Sequence, residues 1–185
     1  MIMSIGVSAF VYPLLHESGH LIAGALVGYD IVSYSFFPSP YITFLTDGDS
    51  EKIYFVSVFS VMLPILVSVL IPKKRTVLHL CACAVVFIDI VNTFIMLVYS
   101  ILYMCGFSVT DNDATAVLRL CKDNGYTYYL SLALVFIIGL CVLLYKKPYN
   151  SIEQFLTKRK AQDFPYANNT NLCRTYGSKQ NPHKA

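Results

Sequence analysis

The sequence is poor in charged residues. Asp, Glu, Lys and Arg make up 14% of its 185 residues, while 56% are hydrophobic; ordinary soluble domains carry about 25% charged residues. The few charges lie between long apolar runs, which indicates a membrane protein that crosses the bilayer several times. The net charge of +3 is small and is explained below by membrane orientation, so we expect no nucleic-acid partner.

The six cysteines contain no Cys-x-x-Cys pair, the spacing typical of thiolate metal sites and redox motifs. Cys81, Cys83, Cys105 and Cys141 lie in or beside apolar runs, where a free cysteine serves as a small apolar packing residue. This pattern argues against a disulfide framework and against a metal–cysteine cluster.

Four apolar segments are long enough to span about 30 Å of hydrocarbon, namely residues 5–28, 53–71, 77–105 and 126–145. The first lacks the basic segment of a signal peptide and carries polar residues, so we interpret it as a retained helix. The predicted fold class is an all-α, multi-pass integral membrane protein with about four transmembrane helices. We expect residues 1–147 to form one membrane-embedded domain. Residues 148–185 are polar and basic, and we expect a disordered cytosolic tail.

Residues 31–45 follow the first segment and are rich in β-branched and aromatic residues. Around Pro38-Ser39-Pro40 this composition predicts a short β-hairpin-like loop or a loop that dips into the membrane. The tyrosines of this segment suit the membrane interface equally well, so both interpretations stay open.

The basic residues predict the orientation. Counting spans places the basic clusters at residues 73–75, 146–147 and 158–160 on one side of the membrane, while the opposite loops are acidic. Lys and Arg concentrate in cytoplasmic loops. We therefore expect both the N- and the C-terminus in the cytoplasm.

His16-Glu17-Ser18-Gly19-His20 is a His-Glu-x-x-His motif within the first apolar segment. On a helix, His16 and His20 lie one turn apart on one face, so that both can bind one metal ion. Glu17 lies beside them, in the position of a general base. The motif also occurs by chance in helices, but here three polar side chains in lipid would cost about 2–3 kcal/mol each. The motif therefore predicts a Zn²⁺ site, with His16 and His20 as ligands and Glu17 as the catalytic residue.

A catalytic zinc takes a third protein ligand and leaves one position open. Asp89 is the favoured candidate, because it and His16 both lie roughly 18 Å from the cytoplasmic start of parallel spans. Asn92, three residues later, shares its helix face and could orient the ligand or the substrate. Asp113 and Asp111 are the alternatives, although aspartates at such positions are also ordinary helix caps and loop residues.

In residues 16–24 the chain resembles the site-2-protease-like intramembrane zinc metalloproteases, with a glycine before the second histidine and small residues after it. The resemblance implies hydrolysis of peptide bonds in membrane-protein or peptide substrates within the lipid bilayer. It also implies two histidine ligands, an acidic base and a later aspartate ligand.

Two other classes of function stay open. The same polar residues would suit a divalent-metal transporter or a metal-binding membrane subunit, with His16, His20 and Asp89 as stations on an ion path. The chain could also be a structural or adaptor protein whose motif is inactive.

Overall fold

The computed structural model describes residues 2–37, 40–46, 48–73, 76–109, 113–120 and 125–149, together with residues 152, 153 and 157. The elements in chain order are α1 (Ile2–Leu26), β1 (Asp30–Ser35), β2 (Tyr41–Leu45), α2 (Ser50–Leu70), α3 (Thr76–Met104), α4 (Asp113–Leu120) and α5 (Gly125–Lys146). The chain divides into two units, Met1–Pro148 and Tyr149–Ala185. Almost all of the second unit lies outside the described residues, so the disordered tail stays a prediction.

Three helices of the described chain, rather than the four expected, are long and apolar enough to cross a membrane. They are Ser50–Leu70, Val77–Met104 and Gly125–Lys146, each with a mean hydropathy of 2.4. Helix α1 has 25 residues, a sufficient length, but His16, Glu17 and His20 lower its hydropathy. The residues that form the motif are therefore the ones that set α1 apart from the apolar helices.

The four long helices form a bundle. Helix α1 packs against α2 and α3, and α5 packs against α3 and α2. Val61, Ile65 and Leu132 are fully or almost fully buried in the core. The Ser57 and Tyr128 hydroxyls are buried 2.9 Å apart and join α2 to α5, so neither hydroxyl is left unpaired in an apolar interior.

Helices α1 and α2 approach most closely beside the motif. A Cβ atom at Gly19 would lie 2.5 Å from the Ser60 Cα atom, a distance that only the absent side chain of glycine permits. The two backbones therefore meet next to His20. This contact fixes the motif-bearing turn of α1 against α2.

The hairpin predicted after the first helix is present. Strands β1 and β2 pair antiparallel, and the register shifts between Ile31 and Ser33, which marks a bulge. Alternate residues of β2 are partly buried, and the Phe44 ring lies where a Cβ atom at Gly24 would be. The structure is therefore mostly helical with one small antiparallel sheet, which packs on α1.

Basic side chains gather at one end of the bundle. Lys73 Nζ donates to the Tyr145 carbonyl and Lys146 Nζ donates to the Ile71 carbonyl, each at 2.9 Å. These carbonyls lie at the C-terminal ends of α5 and α2, which lack helical donors and attract cations. The two lysines therefore tie the same ends of both helices together.

Candidate metal centre

Helices α1 and α4 bring three possible metal ligands together. The Nε2 atoms of His16 and His20 lie 3.1 Å and 3.3 Å from the same atom, Asp113 Oδ2. One ligand atom from each of these residues lies within 4.8 Å of the others. Both histidines belong to α1 and Asp113 is the first residue of α4, so one metal ion at this point would join two helices.

The two distances from Asp113 Oδ2 to the imidazole nitrogens fit a tetrahedral zinc ion. Two ligands each bound at 2.0–2.1 Å in tetrahedral geometry lie roughly 3.3 Å apart. The observed nitrogen–oxygen distances of 3.1 Å and 3.3 Å match that value. Two imidazoles and one carboxylate form a donor set that suits zinc and leaves one coordination position for water or substrate.

The local charges favour an ionised ligand. Removal from water by the neighbouring helices alone would raise the pKa of the Asp113 carboxyl. Hydrogen bonds and charge attraction from His16 and His20 outweigh that effect and hold this pKa well below its usual range. Metal ligation requires the deprotonated carboxylate, and the lowered pKa favours that form of Asp113.

Short helix α4 holds Asp113 in place. Its buried residues are Ala114, Thr115, Val117 and Leu118, a spacing that forms one helix face. Through this face α4 packs against α3 and α2. The negative charge of Asp113 lies in the first turn, where the helix dipole favours it. The chain beyond α3 therefore returns to the bundle and presents a carboxylate to α1.

Glu17 lies at the edge of the same centre. It lines a cavity of about 240 Å³ together with His20 and Asp113. The backbone N–H of Ile42 in β2 lies near its carboxylate. A general base must face the space in which the reacting water and substrate are placed, and Glu17 meets this geometric requirement.

Asp89, the favoured third ligand, lies apart from the three-residue cluster. Its side chain is fully buried beside the Tyr12 hydroxyl, and Tyr12 precedes His16 by one helical turn. Neither carboxylate oxygen of Asp89 has a hydrogen-bond partner of ordinary geometry among the described residues, although the Tyr12 hydroxyl is near enough to interact with it. Asn92 donates to Met96 Sδ at 3.5 Å and also lies beside the Tyr12 hydroxyl. The other alternative, Asp111, lies outside the described residues.

Two features of the centre were missed from the sequence. The Tyr12 ring packs 5.9 Å from the His16 ring, and its position four residues before His16 was the available signal. Most of the apolar residues that line the cavity come from β2, α2 and α4, and no local sequence pattern predicts that these three elements meet.

Comparison of the chain with protein-family models, with curated proteins and with solved structures gave no match.

Proposed function

We propose that this chain is an intramembrane, zinc-dependent peptidase in which His16, His20 and Asp113 bind the metal ion and Glu17 is the general base. One observation carries the proposal. Two imidazole nitrogens of a His-Glu-x-x-His motif converge with a carboxylate oxygen at 3.1 Å and 3.3 Å, and the glutamate of the motif lines the adjoining cavity.

The chemistry divides between the metal ion and the chain. Zinc held at this centre by His16, His20 and Asp113 would supply a Lewis acid, able to polarise a peptide carbonyl and to lower the pKa of water toward about 7. Glu17 accepts the proton of the attacking water and then transfers it to the leaving nitrogen. Asp113 and the two histidines hold their donor atoms in position before the substrate binds, which reduces the reorganisation needed for reaction.

Strand β2 provides a place for the substrate backbone. In the described chain the sheet has two strands, so β1 covers one edge of β2 and no other strand covers the second. A helical substrate must unwind to expose a peptide bond, and an unwound segment can pair with a free strand edge. Ile42 and Phe44 of β2 line the same cavity as Glu17, so a paired segment would lie beside the general base.

The apolar helices and the basic residues at one end of the bundle support a placement of this chain in the membrane. Three helices have the length and hydropathy of membrane spans, and α1 serves as a fourth because α2 and α3 cover it and leave His16 only 8% exposed. Lys73 and Lys146 gather at one end of the bundle, which by the positive-inside rule faces the cytoplasm together with both termini. The metal centre then lies nearer the opposite, acidic side.

The test is the Glu17→Gln variant of the full-length protein, purified in detergent and loaded with zinc. We expect it to retain zinc and to lose cleavage of membrane-peptide substrates, because the amide cannot accept the proton. Glu51→Gln is the matched control, since Glu51 lies in the first turn of α2 and does not line the cavity. Equal cleavage by the wild type and by Glu17→Gln would contradict the proposal.

A second candidate function, divalent-metal transport, is favoured by Asp89. Its fully buried carboxylate lies beside Tyr12, which precedes His16 by one helical turn, and buried carboxylates within membrane helices are typical of ion paths. Zinc uptake into proteoliposomes separates the two functions. A transporter takes up zinc and loses this flux in Asp89→Asn, whereas a peptidase shows no flux with either protein.

A further inference from the structure

The cavity beside the metal centre is lined by apolar residues as well as by the proposed catalytic ones. Glu17, His20 and Asp113 line it, and so do apolar and aromatic residues from other elements. The main apolar contributors are Ile42, Phe44, Ile53, Val56 and Val117. Pockets of this composition bind apolar groups and use a few polar residues to fix orientation.

The cavity is large enough for an aromatic ring. Its volume is about 240 Å³, whereas an apolar cavity of about 150 Å³ is enough to bind benzene. In the described part of the chain no Lys or Arg lines it, so an acidic side chain would meet the Glu17 and Asp113 carboxylates without a basic partner. Size and charge therefore both favour a large uncharged side chain.

The position of the cavity identifies which substrate residue enters it. Two of the three proposed ligands, His20 and Asp113, and the proposed general base Glu17 line the cavity itself, so its occupant lies next to the reacting bond. We propose that this cavity is a specificity pocket that accepts one large apolar side chain, such as Phe, Leu or Met, from the residue beside the cleaved bond. This inference rests on the proposed peptidase function and names its substrate class.

Ala116 offers a way to close the pocket without disturbing the core. It lines the cavity from α4, yet it is exposed, and its neighbours Thr115 and Val117 are buried. An aromatic ring introduced at this position would fill the cavity. Differences of a methylene or more in an apolar pocket change kcat/KM by about 10–200-fold, so Ala116→Phe should reduce kcat/KM for a Phe-containing substrate by at least about tenfold.

The experiment uses the full-length chain in lipid nanodiscs with zinc and a transmembrane peptide library randomised at its central positions. Mass spectrometry of the products identifies the residues on both sides of each cleaved bond. We expect Phe, Leu and Met to be enriched on one side for the wild type, and Ala and Gly to replace them for Ala116→Phe. Ala9→Phe, at an exposed position of α1 outside the cavity, should keep the wild-type preference.

The possible failures are distinguishable. Cleavage without a side-chain preference, a preference for Lys or Asp, or an unchanged preference in Ala116→Phe would each overturn the pocket assignment while the peptidase proposal survives. A zinc-loaded wild type that cleaves no peptide of the library would overturn the peptidase proposal and this inference with it.

Discussion

Replacement of Asp113 by alanine should remove most of the zinc affinity. Asp113 Oδ2 is the atom shared by both histidine contacts, so the substitution removes one of three donors and leaves two imidazoles. Loss of an outer-shell partner of a metal ligand already costs about 10–100-fold in metal affinity. Loss of a direct ligand should therefore exceed about 100-fold, or about 3 kcal/mol. Asp113→Asn keeps one oxygen donor and should give a smaller loss.

Zinc affinity is best measured by competition with a chromophoric chelator, on full-length protein in detergent. Asp89→Asn is the matched control, because it removes a buried carboxylate that lies beside Tyr12 while keeping the side-chain volume. We expect it to retain the wild-type affinity. The reasoning is refuted if Asp89→Asn loses zinc and Asp113→Ala retains it, since the third ligand would then lie on α3.

Three further predictions concern the fold and the metal. Gly19→Ala places a Cβ atom 2.5 Å from the Ser60 Cα atom and should lower the free energy of unfolding by about 1–3 kcal/mol. The control is Gly6→Ala, whose Cβ atom would meet nothing within 4 Å and which should leave the free energy of unfolding unchanged. Ser57→Ala and Tyr128→Phe should each lower the free energy of unfolding by about 1–3 kcal/mol by removing the buried hydrogen bond between the two hydroxyls. The double variant should cost less than the sum of the two, and strict additivity in chemical denaturation would count against this hydrogen bond. Removal of zinc with a chelator should abolish cleavage and leave the circular dichroism of the helices unchanged, and zinc should restore activity; cleavage that persists at full rate would show that the reaction needs no metal.

Hydropathy predicted most of the fold. The expected segments 53–71, 77–105 and 126–145 correspond closely to helices Ser50–Leu70, Thr76–Met104 and Gly125–Lys146, because the apolar composition of a membrane span is a property of the segment itself. The hairpin at 31–45 followed from its β-branched and aromatic residues. Helix α1 was predicted as a helix, but its three polar motif residues make it less apolar than its neighbours.

The metal centre was only partly predictable. His16, Glu17 and His20 are encoded within one turn, so their proximity follows from helix geometry. The third ligand depends on how separate helices align. A count along two spans resolves depth to about one turn, or 5.4 Å, whereas ligands of one zinc ion lie roughly 3.3 Å apart. The count along the two spans therefore predicted the same membrane depth for Asp89 and His16, but Asp89 lies beside Tyr12 in the structure. Helix α4 instead brings Asp113 to the histidines.

The measurement that tests the central claim most directly is zinc X-ray absorption on the purified full-length protein. The account predicts one zinc ion per chain, with a first shell of nitrogen and oxygen atoms at about 2.0–2.1 Å that includes two imidazoles. His16→Ala with His20→Ala should remove that signal. A shell containing sulfur at about 2.3 Å, or a protein that binds no zinc after reconstitution, would contradict the assignment of this centre.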